Sequence, residues 1–394
     1  MKRVLFVDHV SRILGGAEIN LIELLTAARG RGKWAVACAC PAGGPLGQAL
    51  RPLDLPLYDY ALPPGLNAFR LVDRRFDFKG ALRSLRSLAD ARRQLRSIVE
   101  AFQPDAVVSC TNKDHFAAAS VCRQRARPSI WWVNDIVSPE FFTWPVRTAF
   151  QQRARRGAAR LVTVSEYARQ ALVREGLPPE SVVTIHNGIP LARFAAGRTG
   201  ALRKLLDLDP HRRLVGIVGR FTPWKGQDFF LRLARRWVSE HADTVFVLIG
   251  RAFNEEQDYE ASLRRFVTEN RLEANVRFVP FQPDIAAVLP DLDVLIHASL
   301  RPEPFGRVII EAMASGIPVI AANAGGVPEI ITDGTNGLLA EPGNVESYLD
   351  RLRTLLGSPA LAAALRQAGE RTVHERFTVE RVRREFQRLF EEVA

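Results

Sequence analysis

The chain has 394 residues, 47% hydrophobic and 25% charged, which excludes a disordered or fibrous protein and, at roughly 150 residues per domain, leaves room for two or three domains. No run approaches the roughly 18 to 20 apolar residues of a membrane span, and Met1-Lys2-Arg3 reaches Asp8 too soon for a signal-peptide core. The net charge of +11 raises nucleic acid or an anionic membrane as partners, but the excess is uneven: residues 1–200 hold 29 Lys and Arg against 16 Asp and Glu, the remainder 25 against 27.

Nothing resembles a zinc finger, a helix-turn-helix or an RNP segment, so nucleic acid is not an expected partner. Cys38, Cys40, Cys110 and Cys122 make neither a disulfide framework nor a zinc spacing. A soluble, cytoplasmic protein of a reducing compartment is the expectation.

In chain order, Val4 to Asp8 reads as a strand, Ala17 to Arg29 as a helix and Trp34 to Cys40 as a strand. Ala106 to Cys110, Ile130 to Val133, Leu161 to Val164 and Val182 to Ile185 follow as strands, with helices between most of them. The longest predicted helix, Gly80 to Phe102, puts Leu82, Leu85, Leu88, Leu95, Val99 and Phe102 on one side and Arg83, Arg86, Arg93 and Arg96 elsewhere. That pattern fits a helix covering a sheet, or one lying on an anionic membrane. After the polar stretch from Asn187 to Gly200 a second series begins: Leu214 to Val218, Val245 to Ile249, Val276 to Val279, Val294 to His297 and Pro318 to Ala321. Continuous Val, Ile and Leu runs separated by helices predict parallel strands buried on both faces. The expected fold class is α/β, with two doubly wound domains facing a cleft and binding ligands at the carboxyl ends of their strands.

Three segments carry chemistry. Gly15-Gly16 lies between a strand and a helix, where backbone can approach an anion; it is not a dinucleotide or P-loop fingerprint, and a plain tight turn is the alternative. Arg220 and Lys225 flank a Pro-containing turn at the next domain's first strand end, suiting a diphosphate, although a solvated turn with incidental charges reads equally well. In Arg301-Pro302-Glu303-Pro304-Phe305-Gly306-Arg307-Val308-Ile309-Ile310-Glu311, the prolines hold Glu303 in a loop, the helix begins near Gly306, and Glu311 lies inside it. One carboxylate ahead of a helix N-terminus and one behind it suit a nucleotide sugar.

Glu303-x7-Glu311 with its flanks resembles the signature of retaining glycosyltransferases of family 4, of GT-B fold. Gly15-Gly16-Ala17-Glu18, Val164-Ser165-Glu166, Ile185-His186-Asn187-Gly188, Gly219-Arg220, Lys225-Gly226 and Ala324-Gly325-Gly326-Val327-Pro328-Glu329 match that family in order. The resemblance implies that Gly16, beside Gly15, offers an N–H to the donor phosphate, and that Arg220 and Lys225 bind the pyrophosphate. It implies further that Glu303 meets the donor sugar, that backbone from Phe305 through Gly306, Arg307 and Val308 to Ile309 lines sugar and phosphate, that Glu311 takes the ribose, and that the base lies near Phe281 and Gln282. Where many relatives have His-Asp, this chain has Asn134-Asp135. Asn134 keeps a hydrogen bond but cannot shuttle a proton; transfer with the leaving phosphate taking the acceptor's proton remains open.

Asp291 and Asp293 resemble a metal-binding Asp-x-Asp, but directly before a buried strand they read as strand caps. His9, at the end of the first strand, reads either as facing the cleft or, preferably, as a turn-satisfied histidine, and the other histidines, including His115 and His297, form no pairs at ligand spacing. No metal or other cofactor is expected. The expected organisation is an acceptor-side domain over 1–190, a nucleotide-sugar domain over 191–377, and a last helix over 378–394 returning to the first domain. The expected partners are a UDP- or GDP-type sugar donor, an unidentified sugar or lipid-linked acceptor, and an anionic membrane at the inner face of the plasma membrane. A nucleotide-sugar epimerase of the same fold and a non-catalytic nucleotide-sugar-binding protein are the alternatives.

Overall fold

The structure, a computed structural model, describes residues 1–10, 14–29, 33–62, 78–195, 197–209, 211–253 and 256–393, the side chains of 78–86 excepted. It contains two parallel sheets. The first is built from β1 (Lys2–Val7), β2 (Trp34–Cys40), β3 (Leu57–Asp59), β4 (Ala106–Ser109), β5 (Ser129–Val133), β6 (Arg160–Thr163) and β7 (Val182–Thr184), in the order β3-β2-β1-β4-β5-β6-β7. The second is built from β8 (Arg213–Val218), β9 (Thr244–Ile249), β10 (Val276–Val279), β11 (Val294–His297), β12 (Val319–Ala322) and β13 (Leu338–Ala340), in the order β10-β9-β8-β11-β12-β13. Every neighbouring pair is parallel, with Val4 opposite Val36 and Ala106 in the first sheet and Val215 opposite Phe246 and Val294 in the second.

The parallel arrangement follows from the sequence pattern. Val4, Leu5, Phe6 and Val7 are fully buried, as are Val245, Phe246, Val247 and Leu248, so both faces of these strands are covered. Parallel neighbours need crossover segments, which the intervening helices supply. Two strands were not expected, β3 and β13; each is three residues long and lies at a sheet edge, too short to show a hydrophobic period. The expected strand from Pro318 starts one residue later. Proline has no N–H for the ladder, and only its carbonyl is used, accepting from the Leu295 N–H at 3.1 Å.

The chain divides into two compact units: Met1–Asn187 with Val379–Ala394, and Gly188–Thr378. In the first, the C-terminal helix Val379–Val393 packs with helix Gly16–Ala28. Its apolar stripe supplies Phe386 against Trp132 (ring centroids 4.9 Å) and Phe390 against Trp34 (4.7 Å), while the Arg381 guanidinium donates to the His186 carbonyl at 3.1 Å. Each buried aromatic of this kind contributes roughly 1.5–3 kcal/mol by area alone. Helix Phe78–Phe102 lays Leu95, Ile98, Val99 and Phe102 into the core under β1 and β2, leaving Arg93 and Arg96 exposed. Leu82, Arg83, Leu85 and Arg86 lie outside the described side chains. Among the described residues no helix is long and apolar enough to cross a membrane.

Candidate active site

In a doubly wound sheet the strand order reverses at one point, and the carboxyl ends of the strands there diverge to leave a crevice. The reversals fall between β1 and β4 in the first unit and between β8 and β11 in the second. The three chemistry-bearing segments follow β1, β8 and β11, while Asn134-Asp135 follows β5 and Phe281-Gln282 follows β10.

In the second unit the loop after β8 forms a short turn, Pro223–Lys225, closed by Gly226 at φ +76°. A Cβ on Gly226 would run into the Ala298 carbonyl, so this turn presses directly against the chain leaving β11. The Leu300 N–H donates to the Trp224 carbonyl at 2.8 Å and fixes the approach. Glu303 lies in the same loop after β11. Gly325, at φ +65°, presses on the Glu303 backbone, where a Cβ would collide, and the Gly326 N–H donates to the Glu303 carbonyl at 2.9 Å. The two glycine-bearing segments therefore clamp the loop from both sides.

The result is a buried charge cluster. Glu303 is 8% exposed; its Oε1 accepts from Lys225 Nζ, and its Oε2 meets His297 Nε2 and accepts from Ser299 Oγ at 2.9 Å. Burial pushes the Glu303 carboxyl up, but Lys225 and His297 together outweigh it and hold the group well below the usual carboxylate range. Lys225 is further seated 4.3 Å over the Trp224 ring. Lys225 and Glu303, expected to meet pyrophosphate and sugar separately, form an ion pair. A contact that the sequence did not suggest joins them: the loop returns over the end of β11 and brings Glu303, six residues on, to the His297 ring. Ser299 was missed as well. The available signal was a histidine closing a buried strand just ahead of a glutamate held between prolines.

Helix Arg307–Ala314 follows Gly306. Glu311 is buried within it and its Oε1 accepts from Arg307 Nε at 2.7 Å, so one helical turn fixes the carboxylate. Phe305 and Ile309 are buried, Phe305 against Phe377 (5.7 Å), which leaves backbone rather than those side chains to meet a ligand; Val308 is half-buried. Arg220 is half-exposed, its Nε 3.6 Å from Glu256. At the ends of β9 and β10, the Arg251 guanidinium lies 5.3 Å from the centre of the Phe281 ring, itself 39% exposed, while Gln282 donates to the Pro280 carbonyl at 3.0 Å.

In the first unit Gly15 precedes helix Gly16–Ala28 and its N–H donates to Glu18 Oε2 at 2.6 Å. The Gly15 amide is thus already occupied by a carboxylate of its own helix. Burial raises the Glu18 carboxyl, and burial with Glu18 and Asp114 nearby raises Asp8 well above the ordinary range. Asn134 donates to the Trp132 carbonyl at 3.3 Å; Asp135 is exposed and accepts from Asn112 at 2.9 Å. His9 is satisfied not by its turn but by Asp114 and Thr111, each 3.0 Å from its Nδ1. His115 is buried, stacked on Trp131 at 4.8 Å and bonded through Nδ1 to Ser109 at 2.7 Å.

Asp291 accepts three backbone N–H groups, from Thr199, Gly200 and Leu202, and Asp293 accepts from Leu214 N–H and pairs with Arg198 and Arg203. Both aspartates thus serve chain connections around β8 and β11. Among the described residues no group of three or more His, Cys, Asp or Glu side chains is placed to hold a metal. All four cysteines are buried free thiols.

Comparison with known proteins agrees with this fold. The family described as glycosyl transferases group 1 matches residues 200–372, and glycosyltransferase family 4 matches residues 14–193. A D-inositol 3-phosphate glycosyltransferase of Mycolicibacterium paratuberculosis is 33% identical over 56% of this chain and 49% of its own, and one from Rhodococcus opacus is 34% identical over 52% and 47%. The chain thus spans about half the length of the curated relatives it matches. The crystal structure of HepE from Anabaena in complex with UDP and glucose superposes with a TM-score of 0.84 at 26% identity, covering 99% of this chain and 100% of that one. Sucrose-phosphate synthase of Thermosynechococcus elongatus, at 18% identity and a TM-score of 0.80 over 100% of this chain and 99% of its own, shares the fold. With two parallel sheets of GT-B type and two family matches that together run from residue 14 to residue 372, the chain belongs to the family 4 glycosyltransferases.

Proposed function

We propose that the chain transfers a sugar from a nucleotide-sugar donor to a hydroxyl acceptor, with retention of the anomeric configuration and without a metal ion. The Glu303 cluster carries this reading. A buried carboxylate kept ionised by Lys225 and His297 is a fixed anion, and a sugar losing its phosphate develops positive charge at the anomeric carbon. Beside it, Lys225, Arg220 and the free N–H groups of helix Arg307–Ala314 offer positive potential to a departing diphosphate, the work a divalent ion does elsewhere. Gly306 and the backbone from Phe305 to Ile309 line sugar and phosphate, Glu311 takes the ribose, and Phe281 with Gln282 and Arg251 receives the base.

The crystals of HepE with UDP and glucose support UDP as the nucleotide. The basic first half and the relatives named for D-inositol 3-phosphate support an anionic acceptor or an acidic membrane surface. Binding of UDP and GDP, followed by NMR of UDP-glucose turnover in EDTA, tests the whole reading. An α-linked product formed at undiminished rate is expected. A β-linked product sinks retention, a metal-reversible loss in EDTA sinks metal independence, and binding without any sugar release leaves a non-catalytic nucleotide-sugar protein.

A further inference from the structure

In the first unit, helix Asn112–Gln124 packs between helices Phe78–Phe102 and Trp144–Gly157. All three cross back between parallel strands, so they run in the same direction. Arg96 of the first helix donates to Gln124 of the middle one at 2.7 Å. Arg92 and Ser120, each one turn earlier, therefore stand at one level across the same seam. On the other side, Gly157 lies so close to Ala119 that a Cβ on it would collide. Arg153, one turn before Gly157, donates to Ser120 Oγ at 3.5 Å, while Ser120 Oγ donates to the Phe116 carbonyl at 3.3 Å. Two guanidinium groups thus converge over the middle helix. Neither meets a carboxylate among the described residues, whereas Arg93, Arg125 and Arg147 pair with Asp90, Glu100 and Glu175. Arg92 is half-buried and its Nε is enclosed without a partner. Burial, and with it the Arg153 charge, pulls the Arg92 pKa down. Like charges held together and partly stripped of water are stabilised by an anion between them.

We propose that Arg92 and Arg153 form a binding site for a phosphate group, with Ser120 as the residue that positions Arg153. A guanidinium presents a planar fork that matches two phosphate oxygens, and two forks from neighbouring helices can share one phosphate, free in solution or on a lipid head group. Ser120 and Arg153 lie in the C-terminal halves of their helices, toward the amino ends of the strands. That places the site away from the carboxyl ends, where a doubly wound sheet takes its main ligand. It gives part of the basic excess of residues 1–200 a defined location, and it stands whether or not the chain is a transferase.

The probes are inorganic phosphate, titrated into the full chain in excess UDP so that Arg220 and Lys225 do not compete, and sedimented vesicles of equal parts phosphatidylglycerol and phosphatidylcholine. Arg92→Gln and Arg153→Gln should each weaken binding by about tenfold, on the scale of one charge-assisted contact, and Ser120→Ala by a few-fold. Removing one of two like charges should leave melting at or above that of the wild type. Arg93→Gln removes the same charge one residue away, from an arginine that already has Asp90, and should change binding by less than about twofold. Weakened binding of inorganic phosphate assigns the site to a soluble phosphate; weakened binding of the vesicles alone assigns it to a lipid head group. Equal effects of Arg93→Gln and Arg92→Gln would reduce the site to diffuse surface charge. No binding of either probe by the wild-type chain, or binding that survives both Arg92→Gln and Arg153→Gln, overturns it.

Discussion

The imidazole of His297, the last residue of β11, lies against the carboxylate of Glu303, six residues later in the chain. The ring cannot reach that carboxylate unless the intervening loop doubles back. Ser299 Oγ meets both groups, 3.3 Å from His297 Nε2 and 2.9 Å from Glu303 Oε2, so the three side chains form one buried set. Removing the ring deprives a buried charge of a hydrogen bond, which typically costs about 1.5–3 kcal/mol. His297→Ala should therefore lower turnover of the donor by tens-fold while UDP affinity barely changes. His297→Gln, whose amide can still donate to Glu303, should recover part of it. Equal losses of turnover and UDP affinity in His297→Ala would mean the ring supports the fold of the whole loop instead.

The parts of this molecule that a sequence can show are those with local causes. The strands of both sheets were legible because burial on two faces leaves unbroken apolar runs such as Val4–Val7 and Val245–Ile249. Glu303 in a loop followed by a helix was legible because proline and glycine impose those conformations. The pairing of Glu303 with His297 and Lys225 was not legible, because it depends on Gly226 and Gly325 letting separate backbones approach, a contact 78 residues long in the case of Lys225. His9 and Asp114, 105 residues apart, are joined only by the adjacency of β1 and β4. The edge strands β3 and β13 offered too few residues for a period to appear.

His115 should give the fold a measurable pH dependence. Burial drops its pKa from 6.5 to about 3, against a smaller upward pull from Asp114, so the folded protein keeps the ring neutral where an unfolded chain protonates it. Stability from this group is complete above pH 6.5 and declines as pH falls towards about 3. Between pH 6.5 and 5 the slope approaches about 1.4 kcal/mol per unit, and Glu303, whose pKa is lowered, does not yet titrate. Urea unfolding of wild type and His115→Phe across that interval checks it: the variant starts less stable, having lost the Ser109 bond, but its slope should be flatter. Parallel slopes would show that His115 is protonated in the folded state.

Lys225 and Arg220 face the same expected ligand with different ties to the protein. Arg220 is half-exposed and only loosely paired, its Nε 3.6 Å from Glu256, so it can turn to a diphosphate. Lys225 is already paired with Glu303. Each alanine substitution should weaken UDP by tens-fold and uridine far less, on the scale of one charge-assisted contact. Lys225→Ala should lower turnover at saturating donor more than Arg220→Ala, because it also leaves Glu303 without its main counter-charge. If both variants weaken uridine as strongly as UDP, the turn acts on the fold and not on phosphate.

The two glutamates of the Glu303-x7-Glu311 pattern are held in different ways, and that difference sets what each does along one donor. Glu303 is kept ionised by Lys225 and His297, on two separate segments, accepts a further bond from Ser299, and on the proposed reading stands where positive charge develops as the sugar leaves its phosphate. An interaction that strengthens only as the bond breaks raises turnover without tightening the ground state. Glu311 is fixed by Arg307 within a single helical turn and would hold ribose hydroxyls equally before and during reaction, which is uniform binding. Glu303→Gln should therefore cut turnover by 100-fold or more, about 2.7 kcal/mol at the barrier, with little change in UDP affinity. Glu311→Gln should weaken UDP by about tenfold and leave turnover at saturating donor within a few-fold of wild type, since the amide keeps a bond to Arg307 but accepts more weakly from the ribose. Isothermal titration with UDP and initial rates with UDP-glucose separate the two. Each variant must first show cooperative melting close to wild type, because Glu303→Gln also leaves Lys225 and His297 without their shared anion. If both substitutions lower UDP affinity alike and leave turnover alike, the donor lies along this helix in a different direction from the one assigned.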